Sequence, residues 1–282
     1  MFKKIVAEAL REDRALADIT SDSTIPNGNL IRFEINAREQ MIFCGAEVIG
    51  EVFSQLKKSA KFKNSKLDYK IYAKDGKAIK PSESIARGHG DAKLIFAAER
   101  VILNLIQHLS GVATLTNEFV NKLDNKKIKI LDTRKTIPGL RDLQKYAVVS
   151  GGGKNHRHNL AEMILIKDNH IAAAGGVSKA ILAAKKSRDK KIEIECDNFK
   201  QVAEAVKSSP DIIMLDNMSP AEIKKCSREI RKNKKIKIEI SGGVNLKNIN
   251  SFSDLDIDFI SVGAITHSSR AVDIGLDVKN SA

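Results

Sequence analysis

Between residues 132 and 167 the chain gathers five groups that carry, or can carry, positive charge: Arg134, Lys135, His156, Arg157 and Lys167. The planar arginine fork matches carboxylate and phosphate oxygens two at a time, and lysine supplies a compact charge. A low-dielectric pocket holds that many cations only if anions compensate them, so the implied ligand carries several negative charges. Two acids lie further along, Glu195 and Asp216. Amid cations and a phosphate they would bind Mg²⁺ through water or hold ribose hydroxyls; the plain alternative is charge balance. Gly-rich turns at Gly151-Gly152-Gly153, Ser241-Gly242-Gly243 and Gly263-Ala264 would let backbone N–H groups approach a phosphate closely. The turn at Ser241 is expected to lead into a helix at Leu246, whose N-terminal dipole would favour the same anion. Together these groups describe a phosphorylated, sugar-containing, strongly anionic substrate. They leave the reaction open.

The elements that must position them follow a regular pattern from about residue 128. Short β-rich runs are expected at Ile128–Leu131, Met163–Ile166, Ile192–Ile194, Ile212–Leu215, Ile236–Ile240 and Phe259–Val262, with helical or loop stretches between them. The later spacings of about 20–30 residues are those of repeating βα units. The runs lead into Asp132-Thr133-Arg134-Lys135, Lys167-Asp168, Glu195, Asp216-Asn217, Ser241-Gly242-Gly243 and Gly263-Ala264. In an α/β barrel all these carboxyl ends open onto one face. An open doubly wound sheet would gather ligands similarly, and the barrel is preferred. Residues 1 to about 107 have another texture. Helices are expected at Ile5–Leu10, Ala46–Leu56 and Ala92–Leu109, and a strand at Leu30–Asn36. Tyr69–Ala73 and Ala78–Lys80 read as a hairpin turning at Asp75-Gly76.

With 282 residues and 42% apolar content the chain can bury one large or two modest cores. No stretch reaches the roughly 20 consecutive apolar residues of a membrane span, and the N-terminus turns polar too early for a signal peptide. Three distant cysteines, Cys44, Cys196 and Cys226, fit a reducing cytoplasm rather than a disulfide framework or a cysteine zinc site. The net charge of +13 invites a nucleic-acid reading. Against it stand the absence of Trp and the presence of only three Tyr, which leave no platform for stacking bases. Lysine runs such as Lys57-Lys58 and Lys232 to Lys237 read as solvated surface.

The segment Asp132 to Ile171, DTRKTIPGLRDLQKYAVVSGGGKNHRHNLAEMILIKDNHI, resembles the signature of quinolinate phosphoribosyltransferases. The likeness spans nearly the whole chain. It takes in Glu12-Asp13, Asp18-Ile19-Thr20, Ala98 to Asn104 and Leu109 to Thr114 upstream, and Ile194-Glu195, Ile212 to Met218, Ser241-Gly242-Gly243 and Ile260 to Ser268 downstream. The resemblance implies an α/β fold: an N-terminal α/β sandwich domain over 1–107 and an open, incomplete α/β barrel of about seven strands over 108–268. The tail 269–282 would pack with the first domain. It implies that quinolinate and phosphoribosyl pyrophosphate become nicotinate mononucleotide, carbon dioxide and pyrophosphate in de novo NAD biosynthesis, in the cytoplasm. It implies Mg²⁺ near Glu195 and Asp216, held through water, and a homodimer or higher oligomer in which Arg100 completes the neighbour's site. Thr133, Arg134, Lys135, His156, Arg157 and Lys167 would hold the two quinolinate carboxylates and the pyrophosphate, with Lys135, Lys167, Glu195 and Asp216 acting in catalysis. Ser241, Gly242, Gly243, Gly263 and Ala264 would grip the 5′-phosphate.

The chain departs from the family's pattern in places. Near the start the family usually reads Glu-Asp-x-Gly-x-Gly-Asp, whereas here Ala15 and Ala17 replace both glycines, which calls for other backbone dihedrals. Asn159 stands where the family often has glycine, a mild change. Two enzymatic rivals share the barrel: a pyrophosphorylase-like protein associated with molybdenum transport genes, and the nicotinate-using phosphoribosyltransferases, which need no second carboxylate clamp. The Lys-Asp-Asn-His run at 167–170 and the His156-Arg157 pair favour the quinolinate type.

Overall fold

The computed structural model describes residues 2–187 and 189–279. They form two compact units. The first takes in the residues up to 115, 137–152 and the segment from 269 on; the second takes in 116–136 and 153–268.

In the first unit a four-stranded antiparallel sheet runs in the order Ile274–Lys279, Leu30–Ala37, Ser84–Asp91, Leu67–Ile71. The C-terminal segment thus supplies an edge strand. Helix Ala46–Lys58 buries Val48, Ile49, Val52, Phe53 and Leu56, the spacing of one helical face. The sequence boundary at 107 falls inside one continuous helix, Ala92–Leu123, because its buried face continues through Val112, Phe119 and Leu123. Gly111 sits in that helix because a Cβ there would lie 1.9 Å from the Arg270 carbonyl oxygen. The C-terminal segment packs that close to the helix.

Two expected features of this unit are replaced. Leu67–Ile71 and Ala78–Ile79 do not form a hairpin; the former pairs with Ser84–Asp91 and the latter with Met41–Ile42. Asp75 has a second task besides the turn. Its carboxylate accepts the N–H groups of Gly45 and Ala46, each at 2.9 Å, capping the helix that starts there, and also takes the Tyr146 hydroxyl at 2.6 Å. The turn at Asp75-Gly76 does form, closed by the Lys77 N–H on the Lys74 carbonyl at 3.1 Å, but the strands on either side of it pair elsewhere. Ala15 and Ala17 lie in a short 3₁₀ turn, and the left-handed residue of this loop is Arg14, with φ of 50°. Alanine is unstrained where it stands.

The second unit holds six parallel strands: β1 (Lys129–Leu131), β2 (Ile164–Ile166), β3 (Ile192–Cys196), β4 (Ile212–Asp216), β5 (Lys237–Ser241) and β6 (Phe259–Ser261). Their order in the sheet is β1-β6-β5-β4-β3-β2, so the first strand joins the last. A parallel bridge from Leu131 to Lys154 adds a seventh, one-residue position beside β1. The sheet is curled. His156 Nε2 lies 2.9 Å from Glu193 on β3 and 3.7 Å from Glu239 on β5, although β4 runs between them. In a flat sheet strands two apart lie roughly 10 Å from each other. The result is an open α/β barrel. Ile192, Ile194, Ile213, Leu215, Ile238, Ile240 and Ile260 are buried, while the alternate residues face the barrel interior.

The helix expected at Leu246 is absent; only a 3₁₀ turn, Ile249–Phe252, follows. Asn245 and Asn248 account for this. Both side-chain amides donate to the Gly243 carbonyl, and the Asn248 side chain accepts the Asn245 N–H at 2.8 Å. Such local bonds compete with helix formation. No described helix is long and apolar enough to cross a membrane.

Candidate active site

The carboxyl ends of the strands surround a basin of about 600 Å³, within the range of small-ligand sites. It is lined by residues of the second unit alone. Thr133, Arg134 and Lys135 enter after β1, Lys167 after β2, Glu195 from β3, Asp216 from β4, Ser241 to Gly243 from β5 and Gly263 and Ala264 after β6; His156 and Arg157 come from the irregular segment after Lys154. A nucleic-acid surface would spread its cations along a stripe; here they meet beside two carboxylates. Arg100 is not among the lining residues. It lies on helix Ala92–Leu123 in the first unit, its side chain 64% exposed and 3.4 Å from Glu99.

Each cation is held differently. The Lys135 N–H donates to Thr133 Oγ1 at 3.0 Å, and the buried Thr266 hydroxyl donates to the Lys135 carbonyl at 2.8 Å, which fixes the 133–135 turn while the Arg134 and Lys135 side chains stay exposed. Arg157 donates to the Met163 carbonyl at 2.9 Å. Burial disfavours its charge, Arg134 adds repulsion, and Glu193 offsets part of both. Two guanidinium groups that repel each other favour an anion between them. Lys167 forms an ion pair with Glu195 Oε2, and the ring of His170 accepts the Lys167 N–H, so His170 has a structural task.

Asp216 accepts the Asn217 amide at 2.6 Å on Oδ2. With Glu195 bonded through Oε2 alone, each acid keeps a second oxygen for a ligand. Two carboxylates lining one basin, each with an oxygen to spare, fit a Mg²⁺ ion, which takes one or two carboxylates and keeps its waters. The β5 turn needs its glycines. Gly242 has φ of +85°, and a Cβ on it would lie 2.2 Å from Asn217 Oδ1 and 2.8 Å from the Asn217 nitrogen. Gly243, at φ +64°, faces open space.

Below the basin, in the barrel interior, lies a group that sequence reading did not single out. Glu193 and Glu239 are fully buried. His156 Nε2 is 2.9 Å from Glu193 Oε2, and Ser261 Oγ donates to Glu239 Oε1. Burial pushes both carboxyl groups well above the usual carboxylate range. His156 lines the basin, yet its side chain is 8% exposed and its ring is engaged from both sides: the Arg157 backbone N–H donates to Nδ1 at 2.8 Å. The alternation Ile-Glu-Ile-Glu in β3 and Ile-Glu-Ile-Ser in β5 is the signal that points Glu193 and Glu239 inward. His267 also lines the basin, and its Nδ1 lies 2.6 Å from Ser268 Oγ.

An open α/β barrel with clustered cations, a pair of acids and two Gly turns at its strand ends defines an anion-binding enzyme barrel of the phosphate-handling kind. Comparison with known proteins makes this particular. The C-terminal domain of quinolinate phosphoribosyl transferase matches residues 112–277 and its N-terminal domain matches 18–110. A probable nicotinate-nucleotide pyrophosphorylase [carboxylating] of Bacillus subtilis is 41% identical, over 98% of this chain and 93% of that protein. One from Methanocaldococcus jannaschii is 42% identical, over 98% and 96%. The solved nicotinate-nucleotide pyrophosphorylase of Francisella tularensis superposes with a TM-score of 0.91 at 39% identity, covering 99% of this chain and 96% of that one. The chain belongs to the quinolinate phosphoribosyl transferase family.

Proposed function

We propose that the chain joins quinolinate to phosphoribosyl pyrophosphate, releasing nicotinate mononucleotide, carbon dioxide and pyrophosphate, as a step of NAD biosynthesis in the cytoplasm. One observation carries this reading: Arg134, Lys135, Arg157 and Lys167 converge beside Glu195 and Asp216, with the Ser241–Gly243 and Gly263–Ala264 turns on the same rim. A twice-charged ring and an activated sugar phosphate are the anions that such a basin balances.

The chemistry follows from the residues. Arg134 and Arg157 clamp the ring carboxylates, with Arg100 from a partner subunit as the third clamp of a homodimer; the exposure of Arg100 and its single weak ion pair leave it available for that task. The two Gly turns offer backbone N–H groups to the 5′-phosphate. Lys135 and Lys167 lie where negative charge grows on departing pyrophosphate, and charge placed in advance is the large term in such a transfer. As the ribose becomes oxocarbenium-like, the Glu195 and Asp216 carboxylates stabilise it and orient its hydroxyls. Mg²⁺ held by the same two acids through water would supply further charge neutralisation on the leaving group. The pyridine nitrogen attacks the anomeric carbon as the bond to pyrophosphate breaks; the positive nitrogen then stabilises the electron pair left on the neighbouring ring carbon when its carboxylate departs as carbon dioxide, and a proton from solvent takes up that pair.

The test is acceptor preference. With phosphoribosyl pyrophosphate and Mg²⁺ present, quinolinate should yield nicotinate mononucleotide and labelled carbon dioxide, and nicotinate should be a poor acceptor. Turnover with nicotinate and none with quinolinate would overturn the proposal.

A further inference from the structure

The basin's floor is a buried chain of four side chains, Ser261, Glu239, Glu193 and His156, drawn from β6, β5, β3 and the segment after Lys154. All four belong to the second unit. The first three are at most 4% exposed. Two of their atoms, Glu193 Oε1 and Glu239 Oε2, are buried without a hydrogen-bond partner. Orphaned buried carboxylate oxygens are costly, and two buried carboxylates side by side do not both ionise. The charge of the pair must be reduced.

A metal ion and a proton are the candidates. One ligand atom each from His156, Glu193 and Glu239 lie within 4.8 Å of one another, close enough for a metal ion to bridge. The histidine decides against it. Its Nδ1 accepts the Arg157 backbone N–H at 2.8 Å, so the hydrogen of a neutral ring sits on Nε2, where it points at Glu193. A ring nitrogen that carries hydrogen has no lone pair for a metal. One proton between the carboxyl groups, which come within 4.8 Å of each other, needs no such change and removes the repulsion of two buried charges.

We propose that Glu193 and Glu239 share one proton and act as positioning residues: they lock His156 as its Nε2–H tautomer, and the locked ring fixes the main chain that carries Arg157. The segment from Asn155 to Met163 has no helix or strand to hold it. Among its anchors are the His156 N–H on buried Asp132 at 2.9 Å, the His156 ring on Glu193, and the Arg157 N–H on that ring. The clamp that meets the acidic ring is therefore set from inside the barrel. This inference rests on the reading of the basin as the quinolinate site only for its kinetic consequence.

Two measurements test it. In Glu239→Gln the amide donates to Glu193 in place of the shared proton while its oxygen still accepts from Ser261, and KM for quinolinate should stay within about threefold of wild type. Glu239→Ala leaves the Glu193 charge without that donor. There KM for quinolinate should rise on the order of 10- to 100-fold, the size of one charge-assisted hydrogen bond, with KM for phosphoribosyl pyrophosphate little changed. Equal effects of both variants, or equal effects on both substrates, would overturn the positioning role. The second measurement is ¹⁵N NMR of histidine-labelled wild-type protein, with the His156 signals assigned by their loss in His156→Asn. Nε2 should carry the hydrogen and Nδ1 should not. Hydrogen on Nδ1 would overturn the proposal whether or not the protein turns over quinolinate or the alanine variant folds. Wild-type protein that has the expected tautomer but does not use quinolinate would refute the substrate assignment and leave the interior lock standing.

Discussion

Lys135 and Arg157 differ in how they are held, but both present charge to the same basin. Removing one such preorganised contact costs about 3–4 kcal/mol in the transition state, on the order of 100- to 1000-fold in rate. Lys135→Ala and Arg157→Ala are therefore expected to fold normally by circular dichroism and to lose most turnover; near-normal kcat/KM in both would remove them from the mechanism. The cations were legible in the sequence because charge cannot be hidden in a low-dielectric pocket without an anion, so a run such as Asp132-Thr133-Arg134-Lys135 at a strand end already points to a ligand. His156 was half legible. Its neighbourhood marks the site, but the direction of its ring depends on Glu193 and Glu239. Glu193 and Glu239 are harder to see, because a carboxylate inside a β-rich run has the same letters whether it faces solvent or the barrel interior.

At the scale of elements, the β5 turn and the junction between β5 and β6 carry the most testable content. Gly242→Ala forces a Cβ into Asn217, whereas Gly243→Ala meets only the left-handed backbone penalty of about 1–2 kcal/mol. Gly242→Ala should therefore raise KM for phosphoribosyl pyrophosphate more than Gly243→Ala does; the reverse order in steady-state kinetics would contradict the close approach to Asn217. Asp258 ties the two strands together. It accepts Lys237 Nζ at 2.8 Å, the Ile238 N–H at 2.9 Å and Arg231 at 3.0 Å. Burial alone would raise its pKa, but these bonds outweigh it and hold it below the usual value. A lowered pKa contributes stability that is present above the unfolded value and lost as pH falls through the folded one. Asp258→Asn should cost about 1–3 kcal/mol at pH 7, and the gap to wild type should narrow below about pH 4. Urea unfolding at pH 7 and pH 3 measures it, and an undiminished gap at low pH would contradict the assignment.

The six barrel strands were read from sequence within a few residues because a β-rich run ending in polar chemistry repeats so regularly. The failures have local causes. Asp75-Gly76 makes the turn its letters suggest, but Leu67–Ile71 and Ala78–Ile79 find their partners in Ser84–Asp91 and Met41–Ile42 instead of each other. The Leu246 helix lost to two asparagines that bond the Gly243 carbonyl. Neither competition shows in a local pattern, because each winner is decided by a partner.

For the whole molecule, the expected boundary at 107 missed a helix that runs through it, and also the return of residues 137–152 to the first unit. Helix continuity is set by a buried face, and the Ala92–Leu123 face has no break at 107. The proposed homodimer makes its prediction at this scale. Arg100→Ala and Lys135→Ala chains, each inactive alone, should regain partial activity when mixed, since a hybrid dimer carries one intact site. No rescue after verified subunit exchange would count against a shared site. Chelating divalent cations should abolish turnover and added Mg²⁺ should restore it; activity unchanged by chelator would remove the metal from the account.

The most direct test of the central claim is a crystal structure with quinolinate and a non-reactive analogue of phosphoribosyl pyrophosphate. The ring carboxylates are predicted against Arg134 and Arg157, the 5′-phosphate at the Ser241–Gly243 and Gly263–Ala264 turns, and the ribose hydroxyls beside Glu195 and Asp216. Ligands bound away from the strand ends, or none bound at saturating concentration, would contradict it.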